Sequence, residues 1–273
     1  MSDSRIAKPV HRPVPLFVSS VVSAALLIRE RKARRTVERV AAAALETVLN
    51  AIEANDPQTG MHVRRVASYA LIIADAAGLD ERRLRAIERV ALFHDIGKIH
   101  EALFDIVHDD AKLSPAERRE IATHPRRGAQ VLAPLDAFYP ELATGVLSHH
   151  ERWDGTGYPR GLRGNRIPLE ARVVTIADTF DALTHNRRYR RGTGVTDALR
   201  VIESGRATQF DPSLVDLVLL PPVSERLARA HVGHRKRRSG RRARSRDAGP
   251  DVSFRWRSES LGSSGIPATR NVD

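Results

Sequence analysis

The stretch ERVALFHDIGK, residues 88–98, joins an apolar helical pattern to an adjacent His and Asp. Neighbouring residues do not share one face of a helix, yet His94 and Asp95 can both reach an ion lodged between this helix and its neighbours. Taken alone, such a pair is more often a helix end that is capped by ordinary hydrogen bonds. The stretch therefore predicts a helix end, and its function has to be read from the rest of the chain.

Helical spacing of apolar residues continues on both sides of this stretch. A long helix is predicted for 33–54, where breakers are rare until Asn55-Asp56-Pro57. Further helical patterns cover 61–77, 81–97, 115–123, 126–133, 136–150, 168–184, 195–204 and 212–219. Sustained period-two alternation is absent, so we predict an all-α fold.

Composition divides the chain into three segments. Residues 1–32 contain a basic start and an apolar run at 14–28, which is shorter than the roughly 20 residues that span a bilayer. We favour a helix that docks on a neighbouring surface over a secretion signal or a membrane anchor, and we predict a cytoplasmic protein without a transmembrane span. Residues 33–222 carry the helical patterns, and residues 223–273 form a basic low-complexity tail for which we predict disorder.

The net charge of +12 is concentrated in that tail, where residues 226–246 include ten Lys and Arg and no Asp or Glu. Such a run can attract nucleic acid or anionic lipid, or it can serve only as a solubilising extension. Aromatic residues that could stack on bases do not follow until Phe254 and Trp256. We favour the extension and predict no nucleic-acid partner.

The chain has no cysteine, so a bound metal has to be held by His, Asp or Glu. Asp178 stands out because a carboxylate within an apolar helical pattern is costly to bury unless a cation or a strong donor meets it. The candidate metal ligands are His62, His94, Asp95, His124, His149, His150 and Asp178. They are too many for one ion, so they predict two divalent ions and phosphoester hydrolysis.

Two further features concern a phosphate substrate. Lys98, one helical turn after His94, can either neutralise the phosphate or protonate the leaving oxygen, and both roles stay open. The segment ERWDGTGYPRGLRGNR, residues 151–166, is dense in Gly, Asp, Asn and Pro and is predicted to be a structured loop. Its glycines would also suit a plain surface turn, but beside the histidines a substrate-lining loop is favoured.

The ordered set of motifs resembles the HD-GYP family of the HD phosphohydrolase superfamily, from about residue 45 to residue 220. The matching segments are DPQTGMH at 56–62, HDIGK at 94–98, HPRRGAQVL from 124, HHERWDGTGYPRGLRG from 149, IADTFDALTHNRRYR from 176 and QFDPSLV from 209. The resemblance implies a helical bundle with a Gly-rich substrate loop.

The resemblance also implies roles for single residues. The ligand pattern shared across the superfamily is matched by His62, His94, Asp95 and Asp178. The additional ligands of HD-GYP proteins are matched by His124, His149 and His150. Asp95 is implied to bridge two ions, iron or manganese in the first place with zinc as another option, and to act in catalysis with Lys98. Substrate contacts are implied for Lys98, Tyr158, Arg187 and Arg190.

By the same resemblance, the expected reaction is hydrolysis of cyclic di-GMP to linear pGpG in bacterial second-messenger signalling, and a second hydrolysis to GMP is left open. Two alternatives stay open: another HD-type nucleotide phosphohydrolase, and a signalling module that binds the cyclic dinucleotide without hydrolysing it. A homodimer or a separate regulatory protein is the other expected partner.

A few residues fall outside this pattern. Gln58 stands where some members carry a Glu that helps to hold a third ion, which favours two ions here. Asp181 lies three residues after Asp178. We expect it to support a metal ligand or to stabilise the helix rather than to bind metal itself. His100, His108 and His185 have no clear role and are expected to be exposed.

Overall fold

A computed structural model describes residues 15–99, 114–186 and 191–244. These ranges contain helices and no β-strand, which confirms the all-α prediction. The α-helices are α1 (Pro15–Asn55), α2 (Pro57–Ala76), α3 (Glu81–Phe93), α4 (Pro115–Ile121), α5 (His124–Leu132), α6 (Pro140–Ser148), α7 (Leu169–Thr184), α8 (Val195–Ser204), α9 (Pro212–Leu219) and α10 (Pro221–Arg244). Short 3₁₀ turns cover Ile96–Ile99, Ala133–Leu135 and Gly164–Arg166.

Local capping explains where the helices around the site begin. The Asp56 side chain accepts hydrogen bonds from the backbone N–H groups of Gln58 and Thr59, with a proline in the first turn of α2. Ser114 and Glu117 form a reciprocal capping box at the start of α4. These caps satisfy N–H groups that have no partner inside the helix, so short-range sequence sets the helix starts.

The core forms where α2, α3, α6 and α7 pack against one another. Tyr69 of α2 and Phe180 of α7 meet edge to face, with ring centroids 4.9 Å apart. Other fully buried side chains of these helices are Ile73, Ile87, Phe93, Leu142 and Ile176. Because α3 ends at Phe93 and α6 ends at Ser148, the two histidine motifs follow directly from the ends of core helices.

Close backbone packing joins the HDIGK motif to α5. The 3₁₀ turn Ile96–Ile99 packs on α5, and a Cβ atom on Gly97 would overlap the carbonyl oxygen of His124 and lie 2.6 Å from the backbone nitrogen of Gly128. Only a residue without a side chain allows this approach. The glycine of the motif therefore brings Asp95 next to His124.

The two ends of the helical region differ from expectation. Helix α1 begins at Pro15, so the helix predicted for 33–54 is longer than expected and crosses the predicted boundary at residue 32. Among the described helices, none combines the length and the apolar content that a membrane crossing requires.

At the other end, the prediction of disorder from residue 223 is wrong for 223–244, which lie within α10. Val223, Leu227 and His231, spaced four residues apart, form a buried face that the Arg-rich composition concealed. The compact unit that contains the helical core accordingly ends at Val232. Residues 245–273 of the predicted tail lie outside the described residues.

We expect Gly97→Ala to lower the free energy of unfolding by about 1–3 kcal/mol, because the added methyl group forces the 3₁₀ turn away from α5. Gly233→Ala is the matched control, since no heavy atom from outside its own helix lies within 4 Å of a Cβ atom there. The control should be neutral or slightly stabilising. Urea denaturation followed by circular dichroism measures both, and equal stability of Gly97→Ala and the wild type would contradict the packing argument.

Candidate metal centre

The structure brings all seven candidate metal ligands together from five separate parts of the chain. His62 lies in the second turn of α2, Asp178 in the middle of α7, and His124 is the first residue of α5. The two adjacent pairs, His94-Asp95 and His149-His150, follow the last residues of α3 and α6.

The ligands form two groups. In the His62 group, consisting of His62, His94 and Asp178, one ligand atom from each residue lies within 4.8 Å of the others. The same holds for the His124 group, consisting of His124, His149 and His150. Three ligand atoms at such spacing can surround one ion, so each group can hold a metal.

Asp95 lies between the two groups and turns one carboxylate oxygen toward each. Its Oδ2 atom is 3.6 Å from Nε2 of His94 and 3.9 Å from Nε2 of His62. Its Oδ1 atom is 3.3 Å from Nε2 of His124 and 3.9 Å from Nε2 of His149. This is the arrangement that a carboxylate shared by two ions requires.

Backbone carbonyls orient three of the histidines. The Nδ1 atoms of His94, His124 and His149 lie 2.7, 2.6 and 2.6 Å from the carbonyl oxygens of Ala91, Ile121 and Val146. Because a carbonyl only accepts, each Nδ1 carries the hydrogen and each Nε2 keeps its lone pair. The lone pairs therefore point into the cluster, where a metal ion would accept them.

His62 is oriented by a carboxylate instead. Its Nδ1 atom donates to Oδ2 of Asp181 at 2.7 Å, and its Nε2 atom lies 3.3 Å from Oδ1 of Asp178. Asp181 is 2% exposed and also accepts from Arg65. Asp181 therefore supports a candidate ligand, as the sequence led us to expect.

The charge states of the cluster fit a divalent ion. Burial lowers the pKa of His94 and of His149, and burial together with His124 lowers the pKa of His150 to about 3. Burial alone would raise the pKa of Asp95, but Lys98, His94 and His124 hold it well below its usual range. Neutral imidazoles beside an ionised carboxylate are ligands that borderline divalent metals prefer.

One atom gives independent evidence for that fit. Nε2 of His94 is buried and has no hydrogen-bond partner within the described part of the chain. A buried polar atom without a partner is costly, and a metal ion would supply the missing interaction. The buried nitrogen of the His62 group is therefore better satisfied with a bound metal ion than without one.

Two predicted substrate-binding side chains border the cluster. Lys98 is 29% exposed, and its Nζ atom donates to Oδ2 of Asp95 at 2.6 Å. The Tyr158 ring stacks on His150, with centroids 4.9 Å apart and planes 24° apart. Burial and the charges of Asp95 and Asp178 raise the pKa of Tyr158 to about 12, so its hydroxyl keeps its proton. The other two predicted residues, Arg187 and Arg190, lie outside the described residues.

A family model of the HD domain matches residues 46–214, a range that includes every candidate ligand. The chain belongs to the HD domain family. This confirms the superfamily to which the sequence motifs point.

Relatives of this HD domain include signalling phosphodiesterases. The cyclic di-GMP phosphodiesterase response regulator RpfG of Xanthomonas campestris is 38% identical over 192 residues, which cover 70% of this chain and 48% of that protein. The 3'3'-cGAMP-specific phosphodiesterase 3 of Vibrio cholerae is 39% identical over 163 residues, which cover 59% of this chain and 35% of that protein. The chain thus spans at most about half the length of these relatives.

Among solved structures, an HDG"Y"P protein from Bdellovibrio bacteriovorus has the same fold as this HD domain. The TM-score is 0.50 at 24% sequence identity, and the match covers 65% of this chain and 56% of that chain. At this identity the similarity shows the fold alone, so the activity has to be inferred from the residues of the site.

The Gly-rich loop of the HD domain depends on Glu151, a residue to which the sequence motifs assigned no role. Its buried carboxylate accepts hydrogen bonds from the backbone nitrogens of Arg160 at 2.7 Å and Leu162 at 2.9 Å. The backbone of Tyr158 is fixed separately, by donation to the carbonyl of His150 at 3.2 Å. The sequence does contain a signal for this role, because an acidic residue stands at the start of a loop whose N–H groups need acceptors.

The expectation that His185 is exposed is wrong. Its side chain is 11% exposed, and its Nδ1 atom lies 3.0 Å from Oδ1 of Asp181. The two residues are four apart, so they lie on the same side of the helix end. The remaining two histidines of that prediction, His100 and His108, lie outside the described residues.

We expect the metal-free HD domain to lose stability as the pH falls from about 6.5 to about 3. His150 titrates near 6.5 when unfolded and near 3 when folded, so the unfolded chain binds more protons throughout this window. One such proton lowers the free energy of unfolding by up to ~1.4 kcal/mol per pH unit. Urea denaturation at several pH values, with a chelator present, should give a shallower dependence for His150→Asn. An identical slope in both proteins would contradict the buried neutral imidazole.

Proposed function

We propose that this HD domain hydrolyses a phosphodiester bond of a cyclic dinucleotide with the help of two divalent ions. Cyclic di-GMP is the proposed substrate and linear pGpG the proposed first product, with GMP as the product of a second hydrolysis. The observation that carries the proposal is the position of Asp95, which turns one oxygen toward the His62 group and the other toward the His124 group.

Each ion would have four proposed protein ligands. The first would be held by the His62 group and Oδ2 of Asp95, and the second by the His124 group and Oδ1 of Asp95. Iron or manganese is proposed, and zinc accepts the same nitrogen and oxygen donors. When bound, a pair of such ions activates water for attack on phosphorus and neutralises the charge of the phosphate.

The chain's own contribution is to hold the phosphate beside the ions. One of the three N–H donors of Lys98 bonds to Asp95. Because the side chain is partly exposed, the other two donors are available to a phosphate oxygen. We therefore propose that Lys98 binds the phosphate, in preference to protonating the leaving oxygen.

Tyr158 is the second proposed substrate contact. The protonated hydroxyl is a hydrogen-bond donor, and the stacked His150 ring fixes its orientation. Glu151 supports this contact indirectly because it holds the loop at residues 160 and 162, just after Tyr158. Arg187 and Arg190 remain proposed substrate contacts on the strength of the sequence motif.

The names of the relatives favour a second candidate substrate, 3'3'-cGAMP, for which the Vibrio cholerae relative is described as specific. Both compounds present two phosphodiesters in one ring, and a metal centre that acts on phosphorus does not by itself separate them. We therefore rank cyclic di-GMP first on the RpfG similarity and test both.

The test is hydrolysis by protein purified without oxygen, with the metal content determined on the same sample. We expect about two ions per chain and turnover of cyclic di-GMP, or of 3'3'-cGAMP, to a linear dinucleotide that chromatography separates. Asp95→Ala should abolish turnover because it removes the ligand shared by both ions. Asp136→Ala, the same change at an exposed aspartate outside the cluster, should leave turnover unchanged.

Other outcomes would redirect the proposal. Preferred turnover of a mononucleotide by the metal-loaded wild type would replace it with another HD-type phosphohydrolase activity. Tight binding of a cyclic dinucleotide without any product, in protein that contains its metals, would replace it with a binding module.

A further inference from the structure

We propose that His185, backed by His231 of α10, is a positioning residue for the metal ligand His62. The inference rests on the two-ion centre proposed above. It concerns the side of His62 that faces away from the proposed ions, where a chain of buried and part-buried polar side chains runs toward α10.

The chain of contacts starts at Asp181. Its Oδ2 atom lies 2.7 Å from Nδ1 of His62 and 3.0 Å from a terminal guanidinium nitrogen of Arg65. Its Oδ1 atom lies 2.6 Å from Nε of Arg65 and 3.0 Å from Nδ1 of His185. Both carboxylate oxygens are therefore engaged by two donors each.

The protonation pattern follows from these contacts. Arg65 donates to both oxygens of the buried Asp181 carboxylate, which is the geometry of a paired, ionised carboxylate. An ionised carboxylate only accepts, so His62 and His185 both carry hydrogen on Nδ1. Rotation of the carboxylate would break hydrogen bonds on both oxygens, so His185 and Arg65 together fix the plane to which His62 is bonded.

His231 closes the network from α10. Its ring meets the ring of His185 edge to face, with centroids 4.7 Å apart and planes 68° apart. His231 is buried on the same helix face as Leu227 and Val223. On the other ring edge of His185, Nε2 is buried without a hydrogen-bond partner among the described residues. A buried nitrogen without a partner is destabilising. The hydrogen bond from Nδ1 of His185 to Asp181 offsets this cost and explains why the ring is buried here.

This support is specific to one of the two groups. In the His124 group, His124 and His149 are oriented by backbone carbonyls three residues earlier in the chain, which no side-chain change removes. In the His62 group, His62 depends on Asp181 and its side-chain donors. Loss of His185 is therefore expected to weaken one ion and spare the other.

The test is Mn²⁺ binding to the metal-free chain of residues 1–273, measured by competition with a chelator in the absence of nucleotide. His185→Leu removes the donor at similar volume, and His185→Asn keeps an N–H group close to the position of Nδ1. We expect one dissociation constant to rise by up to about 10-fold in His185→Leu, because His185 acts on His62 only through Asp181, with the second constant unchanged and with recovery in His185→Asn. His231→Ala should weaken the same ion to a smaller extent.

Three further variants make the result specific. Asp178→Asn and His150→Asn each remove a ligand from one group and thereby assign the two dissociation constants. Val223→Ala shortens a buried side chain two turns before His231, so it should lower the melting temperature and leave both dissociation constants unchanged.

The inference would be overturned if His185→Leu left both constants unchanged, weakened both ions equally, or was not rescued by His185→Asn. A wild type that binds fewer than two ions would overturn the two-ion centre and this inference with it. A wild type that binds two ions but hydrolyses no cyclic dinucleotide would contradict the proposed function alone, because the binding measurement involves no substrate.

Discussion

The buried carboxylate of Asp95 lies between two sets of imidazole rings, and the burial of its charge constrains the structure around it. A buried carboxylate is tolerated only where donors or cations meet it, and here the ammonium group of Lys98 donates to it. The geometry needs α3 to end one residue before the His-Asp pair and the next turn to touch α5 without a side chain at Gly97. The end of α3, the close packing at Gly97 and the buried charge of Asp95 therefore depend on one another.

The histidines around that carboxylate are oriented in two different ways. His94, His124 and His149 take their orientation from carbonyls of the preceding helical turn, a local interaction that comes with the helix end itself. His62 lies inside a helix, where the backbone carbonyls are already engaged, and so relies on the Asp181 carboxylate from α7. The first kind of support is rigid and local, whereas the second reaches through His185 as far as α10.

This difference explains which features the sequence could predict. Short-range signals revealed the helices, the seven candidate ligands and the loop, because caps, helix ends and an isolated Asp178 within an apolar pattern leave a local trace. The buried face of α10 depends on contacts between distant segments, and the Arg-rich composition obscured it. The inward position of His185 depends on Asp181, four residues earlier, and on His231 of the distant α10. Glu151 was missed for the same reason: its partners at residues 160 and 162 are defined by the folded loop and by no repeating pattern.

The most direct test of the account is the position of the ions themselves. Crystals of the protein loaded with Mn²⁺, measured near the manganese absorption edge, locate each ion by its anomalous scattering. The account predicts two peaks, one beside His62, His94 and Asp178 and the other beside His124, His149 and His150, with the Asp95 carboxylate between them. A single peak, or peaks away from Asp95, would contradict the shared carboxylate on which the proposed chemistry depends.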